Sequence, residues 1–242
     1  MRPGDKAGGR PLRVLAAAPP RWKTRWSRPV GRVLDHVVYR TTVSGRENIP
    51  ADGPVIFAAN HLSFLDGPVM VGAASRYMHV MVKYDLFTGF LGWVLHTSGQ
   101  IPVNRDGDRG ALQFAKDVLD RGDCVGILPE GTRGTGDAAH VNAGVAWLAL
   151  NSGAAVVPVA ILGTRVGHEP RNSIPKPRRH LHVVFGEPLK IAREPGVTGR
   201  VSMDRATERI RLRLAGHILG ATAATGQQLP ADDHLPSKHK GQ

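Results

Sequence analysis

Between Val55 and Asp66 the chain reads VIFAANHLSFLD. The first five residues are apolar, include β-branched and aromatic members, and follow the turn-forming segment IPADGP at 49–54, which predicts a buried strand over 55–59. The run stops at Asn60 and His61, and a short helix is expected over 67–74. A buried strand that ends in polar residues and passes straight into a helix is the repeating unit of an α/β fold.

Outward from this segment the alternation continues. Strands are expected over 78–82, 101–103, 125–128, 155–162 and 181–185, with helices over 87–95, 108–121, 143–150 and 202–219. Asp106 or Asp108 is placed to cap the helix at 108–121, which carries Leu112, Ala115 and Leu119 at helical spacing. The last helix shows Ile210, Leu214 and Ile218 four apart. Pro158 inside the 155–162 run favours an edge or bulge position for that strand. The expected architecture is a single α/β domain with a mixed, largely parallel sheet flanked by helices. Three segments divide the chain: a basic, loosely ordered or membrane-surface arm at 1–30, the folded domain at 31–220, and a polar flexible tail at 221–242.

Composition narrows the function classes. At 242 residues with 41% hydrophobic content, the chain can bury a core without disulfides, and its single cysteine, Cys124, excludes a cysteine-rich zinc module. The formal charge is +12, and residues 1–50 hold eleven Lys or Arg against Asp5, Asp35 and Glu47. Such a surface attracts anions, whether a phosphorylated substrate, nucleic acid or an anionic bilayer. No helix-turn-helix, zinc finger or aromatic RNA-binding motif supports specific nucleic-acid recognition. Trp22 and Trp26 could share the apolar face of an interfacial helix or pack on the folded body. No segment makes a spanning helix, since 145–163 is broken by Asn151, Ser152, Gly153 and Pro158, so peripheral membrane contact is expected.

Three short segments can carry chemistry. In NHLSFLD at 60–66, Asp66 returns five residues after His61, close enough for the carboxylate to orient the imidazole and support its protonated form. His61 is thereby a candidate general base. Ser63 lacks the flanking glycines of a nucleophile elbow, and His61, His79, His96 and His140 do not follow a metal-ligand spacing, so no metal is expected. In PEGTRG at 129–134, glycines permit close backbone approach, Thr132 offers a hydroxyl, and Arg133 can bind phosphate. The turn lacks the Gly-Lys-Ser/Thr end of a nucleotide-binding P-loop. In GQIPVNR at 99–105, a short extended segment ends on Arg105, which can stand beside the same anion.

Together with VVPVAI at 156–161, these segments resemble the glycerolipid acyltransferase family that includes bacterial 1-acylglycerol-3-phosphate acyltransferases. Their order and approximate spacing match, and the resemblance covers about residues 35–215. It implies that His61 deprotonates a lysophospholipid hydroxyl, that Asp66 orients His61, and that the oxygen attacks the thioester of acyl-CoA or acyl-carrier protein. No cofactor is implied beyond that acyl donor. Arg105, Glu130, Gly131, Thr132 and Arg133 match acceptor-binding segments, with Glu130 assigned to a glycerol hydroxyl or to holding an arginine. Asn60, Gly99, Pro102 and Pro158 would shape the pocket. The resemblance further implies a peripheral enzyme at the cytoplasmic side of the cell membrane. Another lysolipid or glycerol 3-phosphate as acceptor, or a noncatalytic membrane-binding role, are the alternatives. The sequence departs from the family pattern at Gly134, where a serine is usual, and at Asn142, where a lysine is usual.

Overall fold

The computed structural model describes residues 17–104 and 108–231. One seven-stranded sheet has the order β1-β7-β6-β2-β5-β3-β4. Its strands are β1 (Arg40–Ser44), β2 (Val55–Ala59), β3 (Met78–Lys83), β4 (Ile101–Val103), β5 (Cys124–Ile127), β6 (Ala155–Leu162) and β7 (His180–Phe185). The helices are α1 (Ser27–Val33), α2 (Asp66–Ala73), α3 (Gly89–Thr97), α4 (Arg109–Asp120), α5 (Gly144–Ser152) and α6 (Gly199–Thr225). Strands β2 to β6 run parallel to one another. β7 is antiparallel to β6, and β1 follows β7 in parallel. The loop from Gly163 to Arg179 contains no helix, and without a crossover helix the chain re-enters the sheet in the reverse direction.

The uninterrupted apolar run of β2 is explained by its central position, with both faces covered. Val55, Phe57 and Ala59 pack in one core with Val69 and Met70 of α2, while Ile56 and Ala58 face the opposite core with Ala111 and Ala115 of α4 and Val145 of α5. Phe57 meets Phe185 of β7 edge-on at 5.8 Å. On α6 the expected stripe of Ile210, Leu214 and Ile218 is buried. Asp108 caps α4 by accepting a hydrogen bond from the Ala111 amide.

Helices α1 and α2 cross at bare backbone. A Cβ added at Gly72 would lie 2.4 Å from the carbonyl carbon of Gly31 and 2.3 Å from Asp35 Oδ2. Asp35, on the π-turn Leu34–Val38 that follows α1, is thus sealed in the crossing. Its Oδ1 accepts a 3.4 Å bond from Thr41 Oγ1, whereas Oδ2 has no hydrogen-bond partner among the described residues. Burial pushes its carboxyl up to about 7, with Thr41 and Arg46 opposing. The folded protein therefore keeps this proton where the unfolded chain has lost it. The stability Asp35 contributes is full below the ordinary carboxyl value of 3.8 and is lost as the pH rises to about 7. Asp35→Asn should flatten that slope, of at most about 1.4 kcal/mol per pH unit. In urea melts from pH 4 to 8 the variant should gain on the parent with rising pH. Parallel pH profiles would contradict this assignment.

Several expectations change. β1 and α1 had no apolar periodicity strong enough to announce them; β1 reads RTTVS, and only Thr41 is buried. α6 runs to Thr225, past the expected boundary at 220. In the described part of the arm at 1–30, Arg21–Arg25 form a 3₁₀ turn fastened to the body. Arg21 pairs with Asp123 at 2.6 Å, Lys23 Nζ donates to the His96 carbonyl, and Trp26 Nε1 donates to the Thr97 carbonyl. The two tryptophans do not act alike: Trp26 is half-buried, and Trp22 is 63% exposed.

Pro158 lies in an interior strand, so of the expected edge or bulge position the bulge is the one found. The proline is tolerated because the regular β6–β7 pairing ends at Val159↔Phe185. Val156 is joined to Leu189 by a separate bridge. The missing amide falls in the gap between them, where the Pro158 carbonyl still accepts from the Gly186 amide.

Candidate active site

Because β6, β2 and β5 are adjacent and parallel, their C-terminal ends open on the same edge of the sheet, where α/β proteins bind their ligands. The segments after these three strands hold His61, Glu130 and Thr164. Asn60 is fully buried and extends the β2–β6 ladder by one side chain: its Nδ2 donates to the Ile161 carbonyl at 3.0 Å, and its Oδ1 accepts from the Ile161 amide at 2.7 Å. That pair of hydrogen bonds fixes the chain immediately before His61.

Asp66, the first residue of α2, folds back over this loop. Its Oδ2 accepts from His61 Nδ1 at 2.9 Å, from the Leu62 amide at 2.7 Å and from the Ser63 amide at 2.8 Å. Its Oδ1 accepts from Thr164 Oγ1 at 2.7 Å. Asp66 Oδ2 is the acceptor of all three bonds, so Nδ1 of His61 is the donor, and in that tautomer the lone pair is on Nε2. The imidazole keeps 21% of its surface exposed while Asp66 has none. A buried carboxylate behind a partly exposed imidazole is the geometry of a general base. Ser63 is buried, with its Oγ accepting from the Leu65 amide, and does not face solvent as a nucleophile would.

The 129–134 turn is bound to the backbone of His61 on both sides. The His61 amide donates to Glu130 Oε1 at 3.0 Å, and the Gly134 amide donates to the His61 carbonyl at 3.1 Å. Glu130 therefore holds the histidine loop through the His61 amide. Burial raises its carboxyl to about 7; Asp137 and Asp66 add to the shift, and the His61 amide opposes it. Gly136 has φ +69°, and a Cβ there would come within 2.2 Å of Leu62 Cδ2, so only glycine lets the turn lie against the His61 loop.

Gly131 and Thr132 are exposed on the rim, and Arg133 Nη1 donates to the Arg171 carbonyl at 3.1 Å. Asn142, where a lysine was expected, braces the turn: its amide and its Nδ2 both donate to the Pro129 carbonyl, at 2.8 and 2.9 Å. Arg105 lies outside the described residues. Gly99 is remote from this edge, since its carbonyl accepts from His79 Nδ1 at 2.6 Å in the N-terminal half of β3. Pro102 pairs with Val82 on the edge strand β4, and Pro158 is in mid-sheet. Of the four expected pocket-shaping residues, Asn60 alone adjoins the dyad. Among the described residues no group of three His, Cys, Asp or Glu side chains could hold a metal ion.

Fold and site define an α/β domain with a histidine–aspartate dyad at the C-terminal edge of a mostly parallel sheet. Residues 40–162 match the Acyltransferase family, and the chain belongs to that family. It is similar to a 1-acyl-sn-glycerol-3-phosphate acyltransferase of Chlamydomonas reinhardtii, with 34% identity over 131 residues, 52% of this chain and 40% of the relative. A Bacillus subtilis 1-acyl-sn-glycerol-3-phosphate acyltransferase is 27% identical over 175 residues, 71% of this chain and 85% of the relative. The chain spans about two fifths of the length of the algal relative and of its chloroplast counterpart from Arabidopsis thaliana. The crystal structure of the 1-acyl-sn-glycerophosphate acyltransferase from Thermotoga maritima has the same fold, with TM-score 0.62 and 22% identity over 83% of this chain and 80% of that one.

Proposed function

We propose that the protein transfers a fatty acyl group from acyl-CoA or acyl-carrier protein to the free sn-2 hydroxyl of 1-acyl-sn-glycerol 3-phosphate, giving phosphatidic acid. The 2.9 Å bond between His61 Nδ1 and the buried carboxylate of Asp66 carries this reading, because it leaves Nε2 as the acceptor for a hydroxyl proton. His61 takes that proton as the oxygen attacks the thioester carbonyl. The new C–O bond forms, the C–S bond breaks, and the proton passes from His61 to the departing thiolate. Family membership and the named relatives support acyl transfer, and the glycine-rich turn with Arg133 beside the dyad supports a phosphate-bearing acceptor.

Docking at the cytoplasmic face of a membrane accompanies this reading. Support comes from the +12 charge and from the exposed apolar side chains of α3, Phe90 at 79% and Trp93 at 58%, which stack on each other at 5.9 Å. Among the described residues no helix is long and apolar enough to cross a membrane.

Arg133 tests the acceptor assignment. Its bond to the Arg171 carbonyl is to a neutral acceptor, and a phosphate would replace it with a bond between opposite charges. Arg133→Ala should raise KM for lysophosphatidic acid about tenfold or more and leave KM for a lysolipid without a terminal phosphate within about twofold. Equal losses on both acceptors, measured by steady-state kinetics, would remove Arg133 from the head-group site.

A further inference from the structure

Asp66 holds His61 with one oxygen, and the other oxygen is held by a residue 98 positions away. Oδ2 collects three donors, all from the loop 61–63, so these bonds move with the loop and cannot by themselves fix the loop to the sheet. Oδ1 accepts from Thr164 Oγ1 at 2.7 Å. Thr164 is completely buried and leaves the end of β6, the strand that neighbours β2.

The segment carrying Thr164 is itself immobilised. Gly163 before it has φ +86°, and a Cβ there would meet the His180 carbonyl oxygen at 2.6 Å, so the backbone is pressed against β7. Arg165 after it, also buried, donates from Nη2 to the Gly134 carbonyl at 2.5 Å, and Gly134 in turn donates to the His61 carbonyl. The hydroxyl of Thr164 is thus delivered from a backbone anchored on both sides. As a β-branched residue, Thr164 also has few χ1 rotamers to choose from.

We propose that Thr164 is a positioning residue for the dyad: its hydroxyl sets the plane of the Asp66 carboxylate, and through it the orientation of the His61 ring. A carboxylate with donors on one oxygen alone can turn about its Cβ–Cγ bond, and the His61 ring would follow. With Oδ1 bonded to the end of β6, the ring is referred to the rigid sheet. The arrangement is that of an outer partner orienting the group that in turn orients the base.

The inference rests on His61 being the base in the proposed reaction, and its test includes a readout independent of substrate. In the full chain labelled with nitrogen-15, the His61 Nδ1–H resonance reports its bond to Asp66 directly. Thr164→Val, which keeps the volume and removes the hydroxyl, should shift or broaden that resonance, and Thr164→Ser should restore it. In acyl transfer from acyl-CoA to lysophosphatidic acid, Thr164→Val should lower kcat by about 10- to 100-fold, the scale of one lost hydrogen bond to a charged group. KM for both substrates should stay within about twofold, because Thr164 is completely buried and bonded to Asp66. An unmoved His61 resonance in Thr164→Val, or a Thr164→Ser variant as impaired as Thr164→Val, would overturn the proposal. Absence of transfer by the parent protein would count against the proposed acceptor or donor, and the resonance would still decide the role of Thr164.

Discussion

His61→Ala should lose acyl transfer by about 10²- to 10⁴-fold or more in kcat, the range expected when a general base is removed. The imidazole combines a defined proton acceptor with access to solvent. Nδ1 is committed to Asp66, and the ring is only partly covered. The backbone of residue 61 would keep its bonds to Glu130 and Gly134, so the glycine-rich turn should stay in place. Binding to vesicles containing anionic lipid should therefore match the parent, because neither the basic surface nor α3 is altered. A variant that retains more than about a tenth of the parent rate would remove His61 from the chemistry.

Asp66 is expected to show a loss of comparable size together with a cost in stability. Four donors converge on this fully buried carboxylate, and Asp66→Ala leaves the Leu62 and Ser63 amides, the Thr164 hydroxyl and the His61 ring without their acceptor. Each buried donor left unpaired costs about 1–3 kcal/mol, so the variant should unfold at markedly lower urea concentration and show no turnover. Asp66→Asn separates the two effects. Its side-chain oxygen can still take some of these bonds, but its NH₂ meets donors and no charge supports a protonated His61. The Asn variant should fold with a smaller loss of stability and still turn over at least about 10²-fold more slowly than the parent. Near-parent activity in a folded Asn variant would contradict the role given to the carboxylate.

The features legible in the sequence were those with strong local signals. Residues 55–59 and 155–162 are dense in apolar side chains because β2 and β6 are covered on both faces, and their bounds follow directly from composition. The stripe at Ile210, Leu214 and Ile218 revealed the buried face of α6. β1 was hidden because an edge strand beside β7 needs only Thr41 to face inward. Pro158 left an edge or a bulge open, and the second applies: residues 157–158 lie opposite 186–188 in the gap of the β6–β7 ladder, where the proline amide is not needed.

The site divides in the same way. His61 and Asp66 are five apart and carry their own geometric constraint, and the glycines of the 129–134 turn signal a close approach of backbone. That the approach is to His61 itself, through Glu130 Oε1 and Gly134 N, depends on β2 and β5 being neighbours, which no local pattern specifies. Thr164 and Arg165 gave no signal. A threonine and an arginine after a strand are unremarkable until β6 is placed beside β2 and their side chains reach Asp66 and Gly134. The same holds for Asn142, whose two bonds to the Pro129 carbonyl show that the residue in the lysine position supports the turn.

The most direct measurement is mass-spectrometric detection of product from the purified full chain, given lysophosphatidic acid with acyl-CoA or acyl-carrier protein, beside glycerol 3-phosphate and other lysolipids and beside His61→Ala. Phosphatidic acid formed by the parent protein and absent with His61→Ala is the expected result. Phosphatidic acid formed equally well by His61→Ala, or no acylated product from any acceptor with either donor, would contradict acyl transfer by the His61–Asp66 dyad.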